Sequence, residues 1–212
     1  LLSAFRLGCH LFWLNSGSEQ SGPFSWTFPV VGSGMGAVSY IPRYSVDDFL
    51  QWEGEWELWD GVPVSMSPAP GFFHQSVGSQ LIAQLVDLLH SDDCEGSCRA
   101  VYESDWHLEK DTVVRPDVMV VCGDPGGKWL KKRPEFTAEI LSPSTRQKDL
   151  VAKRELYASE GVPHYLILDP EDKSALLLQL GEDGTYREIA PESSFELHPG
   201  CKVELSIGPL FA

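Results

Sequence analysis

From residue 43 onward the apolar and polar positions alternate regularly enough to predict elements one after another. Ser45 offers an N-cap to Val46-Asp47-Asp48-Phe49-Leu50, which reads as a short helix. Glu55-Trp56-Glu57-Leu58-Trp59 and Val62-Pro63-Val64-Ser65-Met66 flank the turn pair Asp60-Gly61 and predict a hairpin. After a loop from Ser67 to Gly71, Val77, Leu81, Ile82, Leu85, Leu88 and Leu89 repeat with the period of an amphipathic helix. Strands are then predicted near 99–104, 113–122 and 135–141, and a helix over about 145–160. Three more strands follow near 164–169, 174–180 and 185–190, with Gly181-Glu182-Asp183-Gly184 turning the last pair. Strands and helices in this order predict an α/β fold (α+β), a mixed sheet with helices packed on it, preceded by the hairpin.

Composition narrows the class. A chain of 212 residues is long enough for one well-buried domain. No stretch reaches the roughly 18 apolar residues of a membrane span. Acids outnumber bases 31 to 16, and the resulting net charge of -15 opposes a polyanion unless basic groups cluster or a cation is bound. Lys128, Lys131, Lys132 and Arg133 form the best basic cluster, either a phosphate-facing side or a solvated loop. Residues 1–34 carry only Arg6 and Glu19 as charges and read as an extension ahead of Met35, leaving 35–212 as a single domain. Five scattered cysteines, an odd number, in a chain whose opening lacks the basic start and cleavage site of a signal peptide, predict reduced thiols and a cytoplasmic location. Cys94 and Cys98, with His90 four residues earlier, have a ligand-like spacing, but zinc needs a second pair and Gly96-Ser97 reads as a loop.

Three charged residues stand where apolar ones are expected. Asp117 opens the apolar run Val118-Met119-Val120-Val121-Cys122, and Glu139 lies inside Phe136-Thr137-Ala138-Glu139-Ile140-Leu141. Burying an unpaired carboxylate costs several kcal/mol, so each is expected to be protonated, ion-paired or metal-bound. On the following helix, turning about 100° per residue, Lys153 falls inside the apolar arc with Asp149, Leu150, Leu156 and Tyr157, whereas Lys148 falls on the solvated side. Two carboxylates and a lysine are the minimum for metal-assisted phosphodiester hydrolysis: the acids hold Mg²⁺, and the lysine positions water or offsets developing charge. The same three residues would also serve as a buried structural ion network. His74 lies on the apolar stripe of the long helix, as a core histidine or a functional one, and Glu57 is either a further ligand or an exposed strand glutamate.

The motif "RPDVMVV" followed by "AEILSPSTRQKDLVAKRELYASEGVPHYLILDP" resembles the Uma2 family of endonucleases (DUF820), within the PD-(D/E)XK nuclease superfamily. "EWELWDGVPVSMSPAPGFFHQ" and "HPGCKVELSIGPLFA" are similar to its hairpin and C-terminal segments, so the likeness runs from about residue 40 to the end. The resemblance implies a restriction-endonuclease-like core with Asp117 and Glu139 as metal-binding acids, Mg²⁺ or Mn²⁺ as cofactor, DNA as substrate, and a homodimer with one site per strand. The superfamily lysine would stand two residues after the second acid, where this chain has Leu141; Lys153 is the candidate replacement and Lys148 the weaker one. Asp149 and Tyr157 share the face of Lys153 as supporting residues, and Glu57 and His74 fall on family motif positions. Two other functions compete: a catalytically silent binding module that keeps the ion network, and a hydrolase such as a glycosidase using Asp117 and Glu139 as an acid/base pair.

Overall fold

Ser45 caps a single helical turn, α1 (Val46–Phe49), through reciprocal bonds with Asp48. The computed structural model of the chain describes residues 41–66, 71–91, 94 and 98–212. The extension read at 1–34 and most of the loop 67–71 lie outside the described residues. The hairpin forms as β1 (Trp56–Trp59) and β2 (Val62–Ser65), and Asp60 and Gly61 both take the positive φ, 47° and 75°, that a type I′ turn requires. The long helix α2 (Phe72–Leu89) buries Val77, Leu81, Leu85 and Leu89, the predicted apolar face. Gly78 sits where β3 (Cys98–Tyr102) crosses it: a Cβ there would lie 2.6 Å from the Tyr102 ring.

The apolar run 113–122 is not one strand, which corrects the sequence reading. It breaks at Arg115-Pro116-Asp117 into β5 (Val113–Val114) and β6 (Val118–Cys122), with β4 (Trp106–His107) before them. Pro116 has no N–H for a ladder, and the chain changes sheets there. The smaller sheet has the order β2-β1-β5-β4. The larger adds β7 (Phe136–Ile140), β8 (His164–Asp169), β9 (Ser174–Leu180) and β10 (Tyr186–Ile189) in the order β10-β9-β8-β7-β6-β3. A two-stranded ribbon, β11 (Phe195–His198) and β12 (Cys201–Val203), and the turn α4 (Ile207–Leu210) follow. The sheet is mixed, as predicted, because β7 and β8 run parallel while its other pairs are antiparallel.

A parallel pair needs a crossover connection, and here it is helical. It begins as a π-helical turn, Lys148–Lys153, and continues as α3 (Arg154–Ser159). Period-two alternation sends each central strand to two cores. Val118, Val120, Phe136, Ala138, Ile140, Leu166 and Leu168 pack with α2, while Met119, Val121, Leu141, Tyr165 and Ile167 pack with Tyr157 of the crossover. Glu139 alternates with Ala138 and Ile140, so it faces the crossover helix. Among the described residues no helix is long and apolar enough to cross a membrane.

The cysteines depart from the expectation of reduced thiols. Cys94 is joined to Cys201 and Cys98 to Cys122. The pairings follow from register: Cys98 and Cys122 face each other across β3 and β6, and Cys94 and Cys201 meet in an isolated bridge. A single sequence carries no such register information.

His164 opens β8, buried against Phe195 with ring centroids 4.6 Å apart. Burial depresses its pKa from 6.5 to about 4, outweighing a backbone contact to Glu135 that would raise it. Above pH 6.5 the ring is neutral in folded and unfolded chains, and stability is unaffected. Between 6.5 and 4 the unfolded chain takes up a proton that the folded one refuses, so stability falls by about 3 kcal/mol, at ~1.36 kcal/mol per unit, and levels off below 4. Urea titrations at pH 7.5 and 4.5 should therefore lose less stability on acidification in His164→Phe than in the wild type; equal losses would mean that His164 is not held neutral.

Candidate active site

The break before β6 and the crossover after β7 bring the charged residues to one place. Asp117, at the mouth of β6, accepts a hydrogen bond from the Ile140 amide, 2.7 Å from its Oδ2, which ties it to the end of β7. His74, in the first turn of α2, places Nε2 3.2 Å from the same oxygen. Burial works to lower the His74 pKa, but the Asp117 carboxylate holds it above the ordinary value.

Glu139 is buried and held from two sides. Tyr157 donates its hydroxyl to Oε1 at 2.6 Å, and Lys153 Nζ lies 2.8 Å from Oε2. Burial first, then the charges of Asp117 and Asp149, push the Glu139 pKa well above the usual carboxylate range, against the pull of Lys153. Lys153 is 3% exposed. It also donates to the Arg115 carbonyl at 3.1 Å and lies 3.6 Å from Glu57 and 3.7 Å from Asp149. Burial would lower its pKa, but Glu139, Glu57, Asp149 and Asp117 together hold it well above the usual ammonium range.

Glu57, open to either reading from sequence, is 0% exposed. Its Oε1 accepts from the Arg115 amide at 3.0 Å, and its Oε2 from Trp59 Nε1 at 3.0 Å and Lys148 Nζ at 2.7 Å. Burial would raise its pKa, but Lys153 and Lys148 hold it down at about 2. Asp149 is buried beneath the pocket, its pKa raised by burial, and its Oδ1 has no hydrogen-bond partner among the described residues.

Lys148 is therefore in the site, contrary to the reading that put it on the solvated side. A regular α-helix, at 100° per residue, would turn Lys148 outward, whereas a π turn bonds i to i+5 and rotates less. Lys148, Asp149 and Lys153 consequently line one cavity of about 660 Å³ together with Asp117, Glu139 and His74. The basic cluster is largely engaged elsewhere: Lys132 with the Cys122 carbonyl, Lys128 4.5 Å over the Trp129 ring, and Arg133 with Glu135 and the Gly161 carbonyl.

Charge shows what the cavity can accept. Its lining sets five carboxylates, Glu55, Glu103, Asp117, Glu139 and Asp149, against three cations, Arg115, Lys148 and Lys153, leaving an excess of two negative charges when all are ionised and His74 is neutral. One divalent cation would balance them. Among the described residues only cysteines gather three ligand atoms within 4.8 Å of one another, so the pocket offers two protein carboxylates, Asp117 and Glu139, rather than a cage. That suits a hard ion which keeps several water or phosphate oxygens, as Mg²⁺ does.

A solved structure has the same fold. The crystal structure of "a putative nuclease belonging to DUF820" from Anabaena variabilis superposes with a TM-score of 0.63 at 19% identity, over 79% of this chain and 97% of that one. No curated protein matches the sequence. Residues 46–207 match the Uma2 family, described as "Putative restriction endonuclease", and that span takes in every charged residue of the cavity. The chain belongs to the Uma2 family.

Proposed function

We propose that the protein is a Mg²⁺-dependent endonuclease that hydrolyses phosphodiester bonds in DNA. The observation that carries this reading is the pair Asp117 and Glu139, side by side at the ends of neighbouring strands, in a cavity lined by two more carboxylates than Lys and Arg side chains. Asp117 and Glu139 would hold the ion, which when bound supplies a Lewis acid and lowers the pKa of an attacking water. The chain's own groups do the rest. Tyr157 and Lys153 fix the two oxygens of Glu139, the Lys153 ammonium opposing the burial that favours its protonated form, and His74 orients Asp117. Lys153 is enclosed by protein acceptors, so its part is to position Glu139. Lys148, with a side chain 23% exposed, is the ammonium with access to a phosphate oxygen. A homodimer with one site on each strand is the assembly that duplex cleavage would use.

The already-formed Lys153–Glu139 pair at 2.8 Å favours a second reading, an interaction module in which the network is purely structural. Incubating supercoiled DNA with the protein in Mg²⁺ or in chelator separates the two: nicking or linearisation only with metal supports the nuclease, and intact DNA in both supports the module. Lys148→Met should lower the cleavage rate about a hundredfold, the scale of losing one oriented charge in a transition state, while costing less stability than loss of Lys153. An unchanged rate would remove Lys148 from the mechanism.

A further inference from the structure

Far from the carboxylates in sequence pattern and chemistry, four cysteines meet in the α2-side core. Cys94 follows α2, Cys98 opens β3, Cys122 ends β6 and Cys201 opens β12. We propose that they form a second, redox-controlled metal site: in the reduced chain the four thiolates hold one zinc-type divalent ion, and oxidation replaces that ion with two disulfides.

The backbone sets the site whatever the state of the sulfurs, because one pair faces across the β3–β6 register and the other across the Cys94–Cys201 bridge. The two pairs are also packed against each other. The sulfurs of Cys94, Cys98 and Cys201 lie within 4.8 Å of one another although they belong to two different disulfides, and Cys122 is bonded to Cys98. A tetrahedral zinc with Zn–S bonds of about 2.3 Å places its sulfurs roughly 3.8 Å apart, so Cys94, Cys98 and Cys201 need only small side-chain movements, while Cys122, once freed from Cys98, swings in as the fourth ligand. The donors are all sulfur. His90, the sequence candidate for a ligand beside Cys94 and Cys98, instead has Nδ1 2.7 Å from the Val86 carbonyl. Soft thiolates select zinc-type ions over Mg²⁺, so this site would not compete for the ion of the carboxylate pocket.

Cys94, Cys122 and Cys201 are buried, and Cys98 is half-buried, which gives a reductant its point of attack. A dithiol reductant supplies two electrons and two protons to each disulfide, yielding four thiols and two molecules of oxidised reductant. Ion binding then releases the thiol protons to solvent, up to four per site. Two molecules of an oxidised dithiol reverse both steps: each takes two electrons from a thiolate pair and two protons from solvent to return to its dithiol form, the two protein disulfides form, and the ion leaves. In the oxidised state one disulfide ties Cys94 to the β11–β12 ribbon and the other ties β3 to β6, whereas the ion would tie all four cysteines together.

The test titrates Co²⁺ into the full chain, phosphine-reduced or air-oxidised, and reads sulfur-to-cobalt charge-transfer absorption, which a carboxylate site does not produce. The expected result is one thiolate-bound Co²⁺ per reduced chain, displaced by Zn²⁺, and none in the oxidised chain. It should persist in Cys9→Ser and vanish in Cys94→Ser/Cys201→Ser. Absence of thiolate absorption in the reduced, folded wild type overturns the proposal, as does absorption that survives in the double variant. Should the double variant not fold, Cys94→Ser alone, at the boundary of the core, takes its place: it must bind Co²⁺ at least tenfold more weakly, and unchanged binding overturns the proposal.

Discussion

Replacing Lys153 with methionine is expected to destabilise the fold by about 3–5 kcal/mol, because it strands buried carboxylates that the ammonium now compensates. Glu139, Glu57 and Asp149 all lie within 4 Å of Nζ and are all buried. In a domain of this size the loss corresponds to a melting temperature lower by roughly 10 °C. Urea denaturation of the wild type and Lys153→Met checks it. Lys153→Met/Glu139→Gln should recover part of the loss, since the charge left behind is then removed as well. A cost below about 1 kcal/mol would mean that the carboxylates are protonated or solvated and that Lys153 is no keystone.

Asp117→Asn should leave the fold intact and lower Mg²⁺-dependent cleavage about a thousandfold, the equivalent of ~4 kcal/mol of transition-state stabilisation. The asparagine oxygen can still accept from the Ile140 amide, so β6 and β7 keep their alignment. What is lost is the negative charge that would hold the ion. Initial cleavage rates at saturating Mg²⁺, with circular dichroism as the check on folding, measure this. A rate within threefold of the wild type would exclude Asp117 as a metal ligand.

Much of this pocket was legible because charge in an apolar pattern is costly and therefore conspicuous. Asp117, Glu139 and Lys153 stood out for that reason, and the structure gathers them around one cavity. Lys148 ranked only as the weaker candidate because nothing in its sequence, neither proline nor glycine, announces a π turn, and a regular helix turns it away. Glu57 was ambiguous because a hairpin strand alternates its faces. Its burial depends on β5 pairing alongside β1 and on Lys148 and Lys153 arriving from the crossover, contacts far away in sequence. The break between β5 and β6 did have a local signal in Pro116, which the apolar run around it masked. The strands β4, β11 and β12, two to four residues long, are too short for a period to register.

The most direct test is calorimetric titration of Mg²⁺ into the wild type and into Asp117→Ala. The account predicts saturable binding of one ion per chain by the wild type and none by the variant. Absence of binding by the folded wild type, or equal binding by both proteins, would contradict it and leave Asp117, Glu139 and Lys153 as a structural ion network.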